Sequence, residues 1–198
     1  NVVTLTGGGT VKVRASQAGD ANYSAAASVE QSFKVSLVLT TEATAGGSVS
    51  RNLNLAKYDA GTAVQLTATP NSGFAFTGWS GNATGTQNPL VITMDANKTI
   101  TANFTNTFTL TTGVAGNGSV GVNPQKSAYL PGEVVTLTAT AVSGSGFSHW
   151  SGGAPGSANP ITVTMDASKT VTANFKVTRT LTSAATGQGT VTRTPEGA

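Results

Sequence analysis

Thr93-Met94-Asp95-Ala96-Asn97-Lys98-Thr99-Ile100-Thr101-Ala102-Asn103-Phe104 returns 71 residues later as Thr164-Met165-Asp166-Ala167-Ser168-Lys169-Thr170-Val171-Thr172-Ala173-Asn174-Phe175, with ten of twelve positions identical. Ile100, Ala102 and Phe104 alternate with Thr99, Thr101 and Asn103. That period of two belongs to a β-strand with one apolar face, not to a helix. The stretch therefore states two things at once: the chain is repetitive, and its unit is built from strands.

The same offset aligns Tyr58 with Tyr129, Gly61 with Gly132, Phe76 with Phe147, Trp79 with Trp150 and Asn88-Pro89 with Asn159-Pro160, with no insertion between them. A third copy begins after Phe175, where Leu181, Gly189 and Val191 match Leu110, Gly118 and Val120. Alternation recurs in Val64, Leu66 and Ala68 against Gln65, Thr67 and Thr69, and in Val135, Leu137 and Ala139 against Thr136, Thr138 and Thr140. Leu90, Ile92 and Met94 form one face of a further strand, as do Ile161, Val163 and Met165. Threonine suits the outer face, being β-branched for the pleat and polar for water. Turns are expected at Pro70-Asn71-Ser72-Gly73 and Gly116-Asn117-Gly118, whose Gly and Asn tolerate positive φ. Asp95-Ala96-Asn97-Lys98 reads as a short hairpin between two alternating strands. No ten-residue window keeps apolar positions at helical spacing. The fold class is all-β: tandem small β-modules of sandwich or rolled-sheet type in an elongated array, with essentially no helix.

Residues 1–33 stand outside the repeat. Gly9 to Ala15 and Val29 to Val35 read as extended, with a loop at Gly19-Asp20-Ala21-Asn22, and two or three strands cannot close a core. The expected organisation is 1–33 as closing strands of an incomplete domain, 34–105 and 106–176 as two full units, and 177–198 as the start of a third. The chain is then a window on a longer protein, or its ends are completed by neighbouring chains. Short linkers are expected around Thr105-Asn106-Thr107 and Lys176-Val177-Thr178.

Of 198 residues, 34 are Thr, 18 Ser and 24 Gly, while only 10% are charged, against about 25% in an ordinary soluble domain. Eleven basic residues face eight acidic ones, and the basic ones are scattered along the chain, so the excess is no phosphate-binding face and nucleic acid is not an expected partner. No apolar run approaches the ~20 residues of a transmembrane helix. The chain has no cysteine, which removes disulfides, thiolate metal sites and cysteine nucleophiles.

The sequence offers few residues for chemistry. His149 is the one histidine, and Gly78 occupies its place in the preceding unit, so a triad or metal cluster has no repeated partner. Asp95 and Asp166 recur, but calcium takes six to eight oxygens and no loop holds Asp-x-Asp spacing. These aspartates are expected to accept backbone N–H bonds from two or three residues on, fixing the turn. Trp79 and Trp150, each in a Trp-Ser-Gly context three residues after a phenylalanine, have two readings. One caps a small core, where burial of a large aromatic contributes ~2–3 kcal/mol. The other is a stacking platform for a glycan. No catalytic residue, metal ligand or cofactor is assigned.

Tyr58-Asp59-Ala60-Gly61, Val64-Gln65-Leu66-Thr67-Ala68-Thr69-Pro70, Phe76-Thr77-Gly78-Trp79-Ser80-Gly81, Met94-Asp95 and Thr101-Ala102-Asn103-Phe104 together resemble the divergent internalin-B B-repeat family. The second unit matches through Tyr129, Val135 to Thr140, Phe147, Trp150-Ser151-Gly152 and Thr172 to Phe175, and departs at His149 and at Ala141, which replaces Pro70. Residues 1–33 resemble the closing strands of a bacterial immunoglobulin-like domain through Ala15 to Tyr23. The resemblance implies a secreted or surface-anchored bacterial protein and brings no catalytic residues with it. The expected function is a non-catalytic structural or display segment of an extracellular stalk, filament or adhesin. Its partners would be other repeats of the same or neighbouring chains, with glycans or a host or cell surface beyond them. The alternatives are a carbohydrate-binding module or an accessory region of a larger secreted enzyme.

Overall fold

The computed structural model describes residues 7–179, 182, 184 and 186–192. Leu181, the first anchor of the expected third copy, lies outside the described residues. All regular structure among the described residues is β, in fourteen strands, and the chain divides into two compact units, Asn1–Thr107 and Phe108–Ala198.

Within the first unit, β1 (Gly9–Gln17) and β2 (Ala26–Val35) form an antiparallel ribbon that pairs with no other described strand. Its register sets Val11 opposite Phe33 and Ala15 opposite Val29 on one face, and Thr10 opposite Lys34 and Arg14 opposite Glu30 on the other. In the connecting loop, Asp20 Oδ1 accepts from the N–H groups of Asn22 and Tyr23 at 2.8 and 2.9 Å, a short acidic side chain standing in for a turn carbonyl.

The repeat proper follows as β3 (Leu39–Ala43), β4 (Gly47–Arg51), β5 (Ala63–Pro70), β6 (Phe74–Gly81), β7 (Leu90–Thr93) and β8 (Lys98–Asn106). They make two three-stranded sheets, ordered β3-β8-β6 and β4-β5-β7. Unit 2 repeats the plan with β9 (Leu110–Ala115), β10 (Gly118–Asn123), β11 (Val134–Ala141), β12 (Ser145–Gly152), β13 (Ile161–Thr164) and β14 (Lys169–Val177), in sheets β9-β14-β12 and β10-β11-β13. The first and last strands of each repeat pair in parallel, and every other ladder is antiparallel.

The alternating residues fill the space between the sheets. Val64, Leu66, Ala68, Ile92, Met94, Ile100, Ala102 and Phe104 are buried in unit 1, as are Val135, Leu137, Ala139, Val163, Met165, Val171, Ala173 and Phe175 in unit 2. Intervening Thr69, Thr93 and Thr99 face outward. Close approach to a ring fixes a glycine at the same place in each unit: a Cβ on Gly47 or Gly118 would sit 2.4 or 2.3 Å from the ring of Phe104 or Phe175. Gly118 is therefore required by packing and not by φ; Gly73 and Gly116 are the positive-φ residues of the turns in which they were expected.

Two local expectations are overturned. Asp95 to Lys98 is not a hairpin turn, because β7 lies in one sheet and β8 in the other, so these residues carry the chain across the sandwich. Alternation shows which side chains point inward but not which strand is the neighbour, and β8 takes β3 and β6 instead. Nor are Thr105-Asn106 and Lys176-Val177 linkers: they pair with Ala75, Phe74, Gly146 and Ser145 as the last rungs of β8 and β14. Thr107 N–H then donates to Gly73 O at 2.8 Å, and Phe108 begins the backbone bridge to Tyr129.

Candidate functional site

The tryptophans sit where three elements meet. Phe76 and Trp79 are three apart, a spacing that sends side chains to opposite faces of a regular strand. Both nonetheless face the core, because the β6 register shifts by one residue between Phe76 and Gly78. This bulge re-aims the strand and brings the two rings to a 5.1 Å centroid separation at 60°. Phe76 in turn meets Phe104 edge-on at 5.8 Å. β12 shifts between Phe147 and His149 in the same way, giving 5.2 Å for Phe147–Trp150 and 5.9 Å for Phe147–Phe175.

The Asn of the repeated Thr-Ala-Asn-Phe motif serves the bulge. Asn103 Nδ2 donates to Gly78 O at 3.1 Å and to Ser80 Oγ at 2.9 Å. Asn174 Nδ2 does the same to His149 O at 3.2 Å and Ser151 Oγ at 2.9 Å. A carbonyl displaced from the ladder thereby keeps a partner, as a backbone acceptor in a bulge must.

The loop after β6 is stapled over the indole. Trp79 N–H donates to Gly85 O at 2.8 Å and its Nε1–H to Gln87 O at 2.8 Å. The next residue, Asn88, pairs its carboxamide with the backbone of Ala68 at 3.0 and 2.8 Å. In unit 2, Trp150 Nε1–H donates to Ala158 O at 2.9 Å, and Asn159 holds Ala139 at 2.8 and 2.7 Å. With relative exposures of 4% and 1%, neither indole offers a face to a sugar ring; both fill the core. Tyr58 and Tyr129, each 1% exposed, are buried in the same two cores, with Oη donating to Leu53 O at 2.6 Å and to Pro124 O at 2.9 Å. Among the described residues no buried side-chain N or O atom lacks a partner.

The remaining candidates lie apart. Asp95 Oδ1 accepts from Lys98 Nζ at 2.6 Å and Asp166 from Lys169 at 2.8 Å. The lysine holds each carboxyl below its ordinary value of 3.8, first by hydrogen bond and then by charge. The expected bonds from N–H groups two or three residues on are replaced by this ammonium. The residue that ties the crossing to the residue just before the repeat's first strand is its third: Asn97 Oδ1 accepts from Val38 N–H at 2.8 Å, and Ser168 Oγ from Thr109 N–H at 3.0 Å. His149 is exposed beside Ser148. No group of three His, Asp or Glu residues gathers and no pocket opens among the described residues. No helix of the described residues is long and apolar enough to cross a membrane. Asn103 at the bulge and Asn88 beside Ala68 had only one trace in the sequence, their return at the 71-residue offset as Asn174 and Asn159.

A family model for the divergent InlB B-repeat domain matches residues 37–107 and again 108–179. No curated protein and no solved structure matches the chain.

Proposed function

Because the chain belongs to the divergent InlB B-repeat family, we propose that it is a load-bearing, non-catalytic segment of a bacterial surface stalk, filament or adhesin. The observation that carries this reading is the parallel pairing of the first and last strands of each repeat: β3 with β8 from Leu39↔Lys98 to Ala43↔Ala102, and β9 with β14 from Leu110↔Lys169 to Ala115↔Asn174. Tension enters a unit at the start of one strand and leaves at the end of the other. Because the two strands point the same way, the pull slides them along each other and loads all their hydrogen bonds together. An antiparallel hairpin pulled from its open end would instead lose its bonds one at a time. A core and a shear-loaded ladder in each copy suit a module whose work is to span distance under load.

On this reading the chain works outside the cell, and its partners are other repeats of the same or neighbouring chains. The β1–β2 ribbon belongs to an immunoglobulin-like domain whose remaining strands cover the Val11, Val13, Val29 and Phe33 face. The sequence beyond residue 179, where the second family match ends, opens a third repeat. Pulling single molecules from both ends tests the proposal. Two separate force peaks are expected, each releasing about 24 nm of contour length for a 71- or 72-residue unit, less its folded span. Unfolding of either repeat without a resolvable peak would overturn it.

A further inference from the structure

Backbone hydrogen bonding along β9 alternates in direction. Lys169 N–H donates to Thr109 O, so in the parallel ladder Thr109, Thr111 and Gly113 turn their N–H and C=O groups toward β14. Phe108, Leu110, Thr112 and Val114 turn theirs the other way. Phe108 spends its pair on Tyr129, at 2.8 and 2.9 Å, in an antiparallel bridge. Beyond it, no described strand pairs with this side of β9. The edge thus already accepts antiparallel backbone at one end and leaves Leu110, Thr112 and Val114 as an open continuation.

Unit 1 has the same edge with Leu37 bridged to Tyr58, but it is guarded. Arg51 on β4 donates through Nε and Nη2 to Thr41 Oγ1 at 3.1 and 2.9 Å, and Glu42 sits on β3. At the 71-residue offset these charges become Val122 and Gly113, and neither β9 nor β10 carries a charged residue. Charge on an edge strand is a standard obstacle to strand pairing; unit 2 has lost it.

We propose that the free edge of β9 is a strand-addition site occupied by β9 of a second copy, antiparallel about a two-fold axis through Thr112. The edge is complementary to itself. Thr112 meets Thr112, a favourable cross-strand pair, and Leu110 meets Val114, apolar against apolar. Val114 is 47% exposed in the single chain. The corresponding arrangement of β3 would bring two Arg51 guanidinium groups together over paired Thr41 residues, so unit 1 does not self-associate by this route. The contact is a short ladder and therefore a weak, concentration-dependent one, suited to lateral association of chains already held at a surface.

Sedimentation equilibrium of the whole chain from micromolar to millimolar concentration, with amide exchange at both ends of that range, tests this. The wild-type chain is expected to show monomer and dimer, with slowed exchange at the Leu110, Thr112 and Val114 amides in the dimer. Val114→Lys should abolish the dimer, whereas Ala43→Lys, at the same edge position of unit 1, should leave it unchanged. Four results would each overturn the proposal: a wild-type chain that stays monomeric throughout, a Val114→Lys variant that dimerises normally, an Ala43→Lys variant that loses the dimer, or dimer-dependent protection on β1–β2 in place of β9.

Discussion

The side-chain amide of Asn88 pairs with the backbone of Ala68 as a strand residue would, its Nδ2 donating to the carbonyl at 2.8 Å and its Oδ1 accepting from the N–H at 3.0 Å. β7 stops pairing with β5 at Leu90↔Leu66, and the amide supplies the rung that the backbone no longer provides. Asn159 does the same for Ala139. Asn88→Ala leaves both Ala68 groups unpaired beneath the Trp79 loop, and a loss of about 1–3 kcal/mol is expected in denaturant unfolding. Asn88→Asp should cost more at neutral pH than in mild acid, since a carboxylate facing the Ala68 carbonyl oxygen repels it until protonated.

The two families of repeated glycines should respond differently to alanine. Gly81 and Gly152 have φ of +94° and +87°, and a Cβ there would lie 2.3 or 2.4 Å from the Thr99 or Thr170 carbonyl oxygen. Gly61 and Gly132 have φ of +84° and +82° but open space around an added Cβ. Alanine at the latter pair carries the left-handed penalty alone, about 1–2 kcal/mol. At the former pair the backbone must also move, so the loss should exceed that by at least about 1 kcal/mol. Equal losses in thermal or denaturant unfolding would contradict the close-approach argument.

Alternation made the core residues legible, because Val64, Leu66, Ile100 and Phe104 differ in kind from the threonines between them. Sheet membership was not legible, since Asp95 to Lys98 links equally patterned strands whether it turns back or crosses. Polar strand ends such as Thr105-Asn106 resemble linkers for a similar reason: their ladder partners, Ala75 and Phe74, lie some thirty residues away. Asn88 and Asn103 act on backbone groups 20 and 25 residues distant, a relationship that no local pattern encodes. The glycan reading of Trp79 and Trp150 turned on exposure, which is decided by the bulge before them and the loop stapled over them.

Burial of both indoles has a spectroscopic consequence. Emission should be blue-shifted relative to free tryptophan, resistant to a soluble quencher, and unmoved by oligosaccharides. A sugar-dependent shift would show that a Trp face opens to ligand. Trp79→Ala should cost about 3–5 kcal/mol and fall on unit 1, leaving the emission of Trp150 in place.

Acid should weaken unit 2 more than unit 1. In the folded chain the Asp95 and Asp166 carboxyls titrate below 3.8 because of Lys98 and Lys169. Glu133 titrates below 4.5 because Lys126 donates to it at 2.6 Å and the Leu130 N–H also binds it. Depressed folded-state values mean that unfolding takes up protons, so this stabilisation is fully present above the ordinary carboxyl values and is lost as pH falls through the depressed ones. Unit 1 has Leu55 and Thr62 where unit 2 has Lys126 and Glu133, so it lacks the second contribution. Single-tryptophan variants, Trp79→Phe and Trp150→Phe, report on the units separately. Unfolding followed from neutral pH to about pH 3 should show the steeper loss through Trp150, and Glu133→Gln should reduce that slope. Added salt should reduce it too, because all of these carboxylates face solvent and exposed ion pairs are screened.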